Sequence, residues 1–456
     1  MDIGLLLKTL RAIRQLRPHV SWTRLQLEAY QSQALGRHRD YAYAHSPFYQ
    51  HFHQGLFDRP LQELPVLSKT MLMEHFDEVV TDRSIRLEAV RAFASERVED
   101  RLYLDRYRVT ATSGSSGQPG FFLFNELEWL TILASFARGQ EWSGAAVNLL
   151  HRRKMATVAS ISPWHMSSQV ATTAKTWWTP SIRLPASDPL ESTVRRLNDW
   201  QPDILIGYAS MDRILAEEQI AGRLHIRPDK TFASSEVLTD ETRRRIKIAW
   251  GDEPFNQYVA TETADIAAEH RECRRMHLFE DLVIAEVVDE DYRPVPPGVY
   301  GARVLVTTLF SRTLPLIRYE LNDSIRLANE TCSSGHPFGI VEGVQGRAED
   351  TLYLPAVAGG KTAVEPLVFS RIMDIVPVTG WQLAQEADDG LTLIVSGPHA
   401  GLATDSLVSQ LNQTLAEQGV RVPYIRVQVV PAIPKTPAGK IPLIRRHQDG
   451  AHPQPH

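Results

Sequence analysis

The feature that most constrains the fold is an alternation of short apolar runs and helical stretches that begins near residue 100. The runs "DILIGYA" and "KTFASSE" have the composition of strands, whereas "LESTVRRLNDW" and "LTDETRRRIKIAW" have helical spacing. Strands that alternate with helices usually form a parallel sheet with helices packed on its faces. The pattern therefore predicts an α/β fold for the central part of the chain.

The segments on either side follow other patterns. Residues 1 to about 95 are predicted to be mostly helical, with Ser68 as the cap of a helix that begins at Lys69. After about residue 277 strands dominate, and the Pro/Gly cluster at 294–298 separates two of them as a hairpin or short loop would. Near the C-terminus a helix and the strand "IRVQVV" predict a small α+β unit. The polar, glycine-bearing segment 343–350 predicts a domain boundary, followed by a small domain at 351–446 and a disordered tail at 447–456.

Composition excludes several classes of protein. The chain has 456 residues, which is too long for one ordinary core. Its net charge is −5 and no long basic run occurs, so nucleic acid is not expected as a partner. Two cysteines cannot form a disulfide scaffold, and they favour a reducing, cytoplasmic location. No run of about 18 apolar residues is present, so no membrane span is expected.

The first twenty residues form one amphipathic pattern. Ile3, Leu6, Leu10 and Ile13 recur at helical spacing, with basic residues elsewhere on the wheel. Such a helix either lies on a membrane surface or packs on the body of the protein. The packed arrangement is the commoner one for amphipathic helices, and the membrane-surface alternative stays open.

The stretch "TATSGSSGQPGFF" runs from Thr110 to Phe122 and follows a strand-like segment. Glycines and hydroxyl side chains after a strand let consecutive N–H groups bind a phosphate, although a flexible linker has the same composition. A second segment, "GGKT" at 359–362, lacks the spacing of a Walker A loop, because Pro355 stands where that motif needs glycine. We predict an ordinary surface loop at 355–362.

Four distant segments place polar residues in an order that resembles the adenylate-forming superfamily. They contribute Tyr258, Thr261, Glu262, Arg318, Asp323, Arg347 and Lys440, in "FNQYVATETADIA", "LPLIRYELND", "VQGRAED" and "PKTPAGKIP". Within that superfamily "RHRDYAYAHSPFYQ", "LPVLSKTMLMEHFDEVVTD", "ATSGSSGQPG" and "HLFEDLVIAEVVD" are similar to the phenylacetate–CoA ligase-like branch. The resemblance extends from about residue 37 to residue 446.

The resemblance implies a large N-terminal α/β domain of adenylate-forming type with a helical start, and a small mobile α+β C-terminal domain. Such enzymes use ATP and Mg²⁺ to activate a carboxylic acid as an acyl-adenylate, with release of pyrophosphate. The acyl group then passes to a thiol or an amine, most often that of coenzyme A. An amide-forming or carrier-protein-loading ligase is the alternative within the family, and a homodimer is left open. A non-catalytic nucleotide- or acid-binding protein and a membrane-surface protein are alternatives of other classes.

The resemblance also implies roles for single residues. Tyr258 would lie against the adenine, Thr261 would contact the α-phosphate and Glu262 would help to bind Mg²⁺. Lys440 would bridge the attacking carboxylate and the α-phosphate. The residues implied for the rest of the nucleotide are Ser113, Gly114, Ser115, Ser116 and Gly117 at the β- and γ-phosphates, Asp323 and Arg347 at the ribose, and Glu236 within the same site. The alternative for each of these residues is that it is an ordinary core or loop residue without a role in binding.

The acid's pocket and the hinge are implied in the same way. An apolar slot for an aryl or arylalkyl acid would be formed by Trp164, Met166, Tyr208 and Ala209, although the aromatic pair are equally good core residues. Val259 stands where the family often has glycine, so its side chain would narrow the pocket. The core would extend over 1–346 and the hinge over 347–350. The small domain would rotate about Glu349 and Asp350 between the two half-reactions.

Both cysteines lie beside histidines, in "EHRECRRMH" and "TCSSGHPF". Thiol and imidazole groups are the ligands that tetrahedral zinc favours. We predict a structural zinc site formed by His270, Cys273, Cys332 and His336, with His277 as the substitute ligand. The alternative is a pair of buried thiols with surface histidines.

Overall fold

The computed structural model describes residues 3–446 except for 97–100, 113–118, 146–151, 175, 177–178, 334, 348–349, 365, 374–375, 377, 398–402 and 437–438. The predicted tail at 447–456 lies outside these residues. So do the predicted phosphate-binding residues 113–117 and the hinge residue Glu349.

The N-terminal segment is helical, as predicted. Ser68 caps the fourth of its helices, because its hydroxyl accepts the N–H of Met71 at 3.2 Å. The helices of this segment are α1 Ile3–Leu16, α2 Arg24–His45, α3 Pro47–Phe52, α4 Lys69–Glu74, α5 Phe76–Val79 and α6 Leu87–Ser95.

The alternating pattern produces the α/β region that it predicts. The antiparallel pair β1 and β2 comes first, and parallel strands joined by helices follow. These elements are β1 Arg108–Ala111, β2 Phe121–Phe124, α7 Glu126–Ser143, β3 Met155–Ala159, α8 Met166–Ala174, β4 Ser181–Pro185, α9 Leu190–Trp200, β5 Ile204–Tyr208, α10 Ala209–Ile220, β6 Lys230–Ser234, α11 Asp240–Trp250 and β7 Phe255–Ala260.

The strand-rich region that follows adds four strands to the same sheet and forms a second, three-stranded sheet. Its elements are β8 Ala264–Glu269, β9 Met276–Leu278, β10 Val283–Val288, β11 Arg303–Thr308, β12 Tyr319–Leu321, β13 Asp323–Leu327 and β14 Ile340–Arg347. The nine-stranded sheet has the order β13-β14-β9-β8-β7-β6-β5-β3-β4, parallel from β7 to β4 and antiparallel from β7 to β13. Strands β10 and β11 pair antiparallel across the Pro/Gly cluster, as predicted, and β12 joins them.

The C-terminal elements form a separate hydrophobic cluster. They are β15 Leu352–Pro355, β16 Lys361–Val364, α12 Pro366–Met373, β17 Gly380–Gln385, β18 Leu391–Ser396, α13 Thr404–Glu417, β19 Ile425–Val430 and β20 Ile444–Arg445. Strands β19-β18-β17-β20 make a four-stranded sheet. We call this unit the small domain, and we call the part of the chain before it the large domain. Its predicted boundaries stay a prediction.

One local expectation is wrong. The segment at 355–362 is not simply a surface loop, because β15 ends at Pro355 and β16 begins at Lys361, and the two strands pair antiparallel. Gly359 and Gly360 form the turn with φ values of +95° and +76°. Glycine adopts this left-handed backbone without the steric cost that other residues carry, so the "GG" pair forms a tight hairpin.

Helix α1 packs against α7, as the packed alternative predicts. Lys8 pairs with Glu126 at 2.6 Å, and Arg17 pairs with Glu141. Ala12 and Ile13 pack on the main hydrophobic cluster. Among the helices of the described residues, none is both long enough and apolar enough to cross a membrane.

A buried ion cluster anchors the segment after α1. The carboxylate of Asp281 accepts two bonds from Arg138 on α7, at 2.7 and 2.6 Å, and contacts the Nδ1 atom of His19 at 2.6 Å. The side chain of Asp281 is fully buried. Three segments distant in sequence are therefore joined by one desolvated carboxylate.

Candidate active site

The parallel strands β5, β6 and β7 end at a large cleft. Tyr208, Ser234 and Ala260, at the carboxyl ends of these strands, all line it, and so do residues 431–433, 435–436 and 440–444 of the small domain. The cleft has a volume of about 2290 Å³. Ligands of open α/β sheets bind at the carboxyl ends of the strands, so the cleft is the candidate active site.

The predicted adenine and ribose residues are in direct contact. The hydroxyl of Tyr258, in β7, donates to Oδ2 of Asp323 at 2.7 Å. Asp323 begins β13, and both residues line the cleft. Tyr258 is only 8% exposed, so its ring is fixed by the core while its edge faces the cleft. The side chain of the predicted partner, Arg347, lies outside the described residues.

Thr261 and Glu262 follow β7 and also line the cleft. The hydroxyl of Tyr319 lies 3.5 Å from Oε1 of Glu262 and donates to it. Burial raises the pKa of Tyr319 well above its usual value, and the Glu262 carboxylate raises it further. Tyr319 therefore stays protonated at neutral pH and holds Glu262 by its hydrogen bond.

The ends of the predicted phosphate loop are fixed although residues 113–118 themselves are outside the described part. The N–H of Gly120 donates to the Thr112 hydroxyl at 2.8 Å, and the N–H of Thr112 donates to the carbonyl of Gly120 at 2.9 Å. The Thr110 hydroxyl donates to the carbonyl of Thr261 at 3.5 Å. Strand β1 therefore leads into the loop directly beside Thr261.

Sequence reasoning assigned no function to two residues that the cleft contains. Lys69 lines the cleft, and its Cε atom would lie 3.2 Å from a Cβ on Gly120, next to the predicted phosphate loop. His165 lies beside the predicted pocket residues. Burial lowers the pKa of His165 to about 4, with a further contribution from Lys440, so its imidazole is neutral at pH 7. A single Lys or His carries no periodic signal in the sequence, so no pattern identifies these two residues.

Lys440 enters the cleft from the small domain. Its Nζ atom donates to the carbonyl of Ser235 at 3.3 Å and lies 5.3 Å from the ring centroid of Tyr208. The ammonium group is thereby placed over the carboxyl ends of β5 and β6. This is the only predicted site residue that the small domain brings to the cleft, apart from the predicted hinge.

Glu236, predicted within the nucleotide site, accepts main-chain hydrogen bonds from both domains. Its Oε2 atom accepts the N–H of Ser210 at 2.9 Å, and its Oε1 atom accepts the N–H of Ile441 at 2.9 Å. Burial raises its pKa, while these donors and Lys440 act in the opposite direction. The carboxyl group thus connects the two domains, and a contact with nucleotide stays a prediction.

Four of the five residues predicted for the acid pocket line the cleft. Trp164, Met166 and Tyr208 are between 3% and 7% exposed and line the cleft. Val259 lines it as well. Ala209 is the first residue of α10 and is buried, but it does not line the described part of the cleft. The hinge residue Asp350 borders the same cleft.

Two of the four predicted zinc ligands, Cys273 and Cys332, come together with His277, the predicted substitute, and these three residues are not among those that line the cleft. Ligand atoms of Cys273, His277 and Cys332 all lie within 4.8 Å of one another, and the Cys273 Sγ to His277 Nε2 distance is 3.3 Å. The rings of His270 and His336 lie beside them, 4.4 Å apart between centroids. In the described structure Nδ1 of His336 is buried and makes no hydrogen bond. Two thiols with imidazoles suit tetrahedral zinc, so the residues fit this metal.

Comparisons with known proteins agree with the geometry. No protein-family model matches the chain. Phenylacetate-coenzyme A ligase of Thermus thermophilus is 25% identical over 374 residues, which is 78% of this chain and 77% of the relative. A structure of 2-hydroxyisobutyryl-CoA ligase in the postadenylation state, in complex with 2-HIB-AMP, gives a TM-score of 0.73 at 18% identity over 95% of this chain and 92% of that chain. The same ligase in the thioesterification state, with 2-HIB-AMP and CoA, gives 0.59 at 18% identity over 94% and 92%.

Proposed function

The chain belongs to the adenylate-forming ligases, in the phenylacetate–CoA ligase-like branch, and on this premise we propose that it activates a small carboxylic acid with ATP and transfers the acyl group to coenzyme A. In the first step a carboxylate oxygen attacks the α-phosphorus of ATP, and the bond to pyrophosphate breaks. In the second step the thiol sulfur attacks the acyl carbon, and AMP leaves. Amine and carrier-protein acceptors are the alternatives within this proposal.

The position of Lys440 is the observation that supports this proposal best. Its ammonium group lies in one cleft with Tyr258, Glu262 and Asp323, although it comes from another domain. Charge develops on the α-phosphate oxygens in the first step, and a cation directed at them stabilises the transition state. Lys440 has the correct charge and a flexible stem for this role.

The remaining roles follow from the cleft. Tyr258 would pack on the adenine, and Asp323 would accept hydrogen bonds from the ribose. Thr261 would contact the α-phosphate, and residues 113–117 would hold the outer phosphates. Glu262, with its carboxylate held by Tyr319, would bind Mg²⁺, which supplies charge neutralisation on the phosphates when bound. The acid would lie between Trp164, Met166, Tyr208 and Val259, which favours an aryl or arylalkyl acid.

Acid-dependent exchange of pyrophosphate into ATP tests the first step. The panel contains benzoic, phenylacetic, heteroaryl and short fatty acids, and the variants are Lys440→Ala and Lys361→Ala. Lys361 is the matched control, because it is an exposed lysine of the same domain that pairs with Asp389. We expect exchange with one class of acid, lost in Lys440→Ala and kept in Lys361→Ala. Exchange that survives in Lys440→Ala would contradict the assignment of Lys440.

Rotation of the small domain about Glu349 and Asp350 would then admit the acceptor. Proline at position 350 would restrict the backbone of this hinge. We expect Asp350→Pro to retain pyrophosphate exchange and to lose thioester formation. Thioester formation at the normal rate would contradict the hinge.

We further propose that the cysteine and histidine cluster holds a structural zinc ion. Cys273, His277 and Cys332 would supply three ligands, and His336 or His270 would supply the fourth. A closed site of this kind leaves no open position for chemistry, so it would stabilise the link between β8, β9 and β14. Zinc binds thiolates, and the cytoplasmic location that we propose keeps cysteines reduced.

Elemental analysis of protein purified without a His-tag tests the zinc site. We expect one equivalent of zinc in the wild type and in His225→Ala, an exposed histidine that serves as control. Cys273→Ser and Cys332→Ser should lose the metal, and comparison of His277→Ala, His270→Ala and His336→Ala should identify the imidazole ligands. Less than a tenth of an equivalent in the wild type would end the proposal.

A further inference from the structure

The loop that carries Lys440 contains a second lysine with a different environment. Lys435 lies five positions earlier, and its Nζ atom donates to the carbonyl of Ala186 at 2.6 Å. The same atom lies 3.3 Å from Sδ of Met211. Ala186 directly follows β4 and Met211 is in α10, so a lysine of the small domain is inserted into the large domain.

The environment of Lys435 favours a fixed position. Burial lowers the pKa of its ammonium group, whereas the carboxylates of Glu236 and Asp188 act in the opposite direction. A partly buried ammonium is stable only while its hydrogen bonds and neighbouring charges stay in place. The hydrogen bond from Lys435 to Ala186 is therefore made only while the two domains are docked. When the domains separate, water replaces the carbonyl as the partner of the ammonium group.

Two further contacts join the same loop to the same surface. Gly439 has a φ of +81°, and a Cβ on it would lie 2.6 Å from Cβ of Ala186 and 2.9 Å from the backbone nitrogen of Ser187. The backbone of the loop is thus packed directly on the end of β4. Beyond it, the N–H of Ile441 donates to Glu236 across the domain boundary. Lys435 and Ile441 hold the two sides of Lys440.

We propose that Lys435 is a positioning residue that locks the small domain on the large domain for acid activation and must be released before acyl transfer. The inference rests on the proposed function, since it assigns the lock to the first of the two half-reactions. The two lysines have different roles. Lys440 donates to the carbonyl of Ser235 at the carboxyl end of β6, and Lys435 donates to the carbonyl of Ala186 after β4.

The test compares the two half-reactions in Lys435→Met, which keeps the length of the side chain and removes the ammonium. We expect the rate of pyrophosphate exchange to fall at least tenfold, with the KM for the acid within twofold of wild type. Thioester formation from supplied acyl-adenylate and coenzyme A should stay within twofold or become faster. Lys361→Met is the control, and it should match the wild type in both assays. Lys435→Gln is a second variant in case the Met variant folds poorly.

Hydrogen–deuterium exchange provides a readout that does not depend on activity. The Ile441 amide is bonded to Glu236 of the other domain, so its protection reports docking of the small domain. We expect its exchange to be at least tenfold faster in Lys435→Met and unchanged in Lys361→Met.

The possible outcomes distinguish a failure of the lock from a failure of the proposed function. Equal losses in both half-reactions, or unchanged protection at Ile441, would overturn the lock. If no acid supports exchange in the wild type but Ile441 loses protection in Lys435→Met, Lys435 still holds the small domain on the large domain, whereas its link to acid activation fails together with the proposed function.

Discussion

Tyr208 shows how one side chain at the cleft serves two purposes. Its hydroxyl accepts the N–H of Ser160 at 2.9 Å, which ties the end of β5 to the segment after β3. Its ring faces the ammonium group of Lys440. Burial raises the pKa of Tyr208 to about 12, so the hydroxyl stays protonated. A predicted pocket residue therefore also orients the predicted catalytic lysine.

Removing the ring of Tyr208 should slow acid activation. A cation–π contact contributes roughly 0.5–2 kcal/mol, so we expect Tyr208→Leu to lower the rate of pyrophosphate exchange by roughly 2- to 30-fold. Tyr208→Phe keeps the ring and should lose less. The measurement is the initial exchange rate at saturating ATP and acid. Equal losses in the two variants would show that the hydroxyl, rather than the ring, is what matters.

At the scale of elements, the start of α7 is specified by a local signal and reinforced by a distant one. Asn125 and Glu128 form a reciprocal capping box, with distances of 3.1 and 2.7 Å. The buried Glu128 carboxylate also accepts the N–H groups of Arg312 and Thr313 at 2.6 and 2.7 Å. One side chain therefore caps a helix and holds the loop before β12.

Replacing Glu128 should lower the free energy of unfolding far more than removing an exposed helix cap. We expect Glu128→Ala to lower the free energy of unfolding by about 3 kcal/mol, because it leaves buried N–H groups without an acceptor. Thr23→Ala removes the capping box of α2, which is exposed, and should cost only about 1 kcal/mol. Urea denaturation measures both values. A similar cost for both variants would contradict the role of Glu128 beyond α7.

Helix α1 should stabilise the folded protein and should not attach it to a membrane. Deletion of residues 1–18 removes its packing on α7 and the pairs with Glu126 and Glu141. We expect a thermal midpoint at least about 3 °C lower and no change in co-sedimentation with liposomes. Full-length protein that co-sediments while the truncated protein does not would restore the membrane-surface alternative.

At the scale of the whole molecule, the Asp281 cluster links the N-terminal segment to α7. Burial alone would raise the pKa of Asp281, but Arg138 and His19 outweigh it and lower the pKa from 3.8 to about 2. A carboxyl group whose pKa is depressed by folding stabilises the folded state while it is ionised. This contribution is complete above about pH 4 and is lost as the pH falls toward 2.

Acid titration of stability tests this cluster. We expect the free energy of unfolding to decrease between pH 4 and pH 2, with on the order of 2 kcal/mol of the decrease due to Asp281. Asp281→Asn should be less stable at pH 6 and should show a shallower decrease in acid. Asp291→Asn, an exposed carboxyl beside Arg293, is the control and should follow the wild type. Identical acid profiles for Asp281→Asn and the wild type would contradict the assignment.

The sequence by itself determined the features that local patterns encode. Strand–helix alternation predicted the α/β sheet, Ser68 predicted the start of α4, and the Pro/Gly cluster predicted the β10–β11 hairpin. The resemblance to a known family, rather than a local pattern, predicted that Tyr258, Glu262, Asp323 and Lys440 share one site, and they line one cleft. These signals are readable because periodicity, caps and turns involve residues that are close in the chain.

Only the tertiary structure decided the contacts between distant segments. Glu236 and Ile441 are 205 residues apart, and Lys435 and Ala186 are 249 apart. His277 joins the two cysteines because β9 pairs with β14, which no local pattern specifies. Partners of this kind are selected by packing and desolvation once the sheet has formed. The amino-acid composition of these segments does not specify which residues become partners before the sheet has formed.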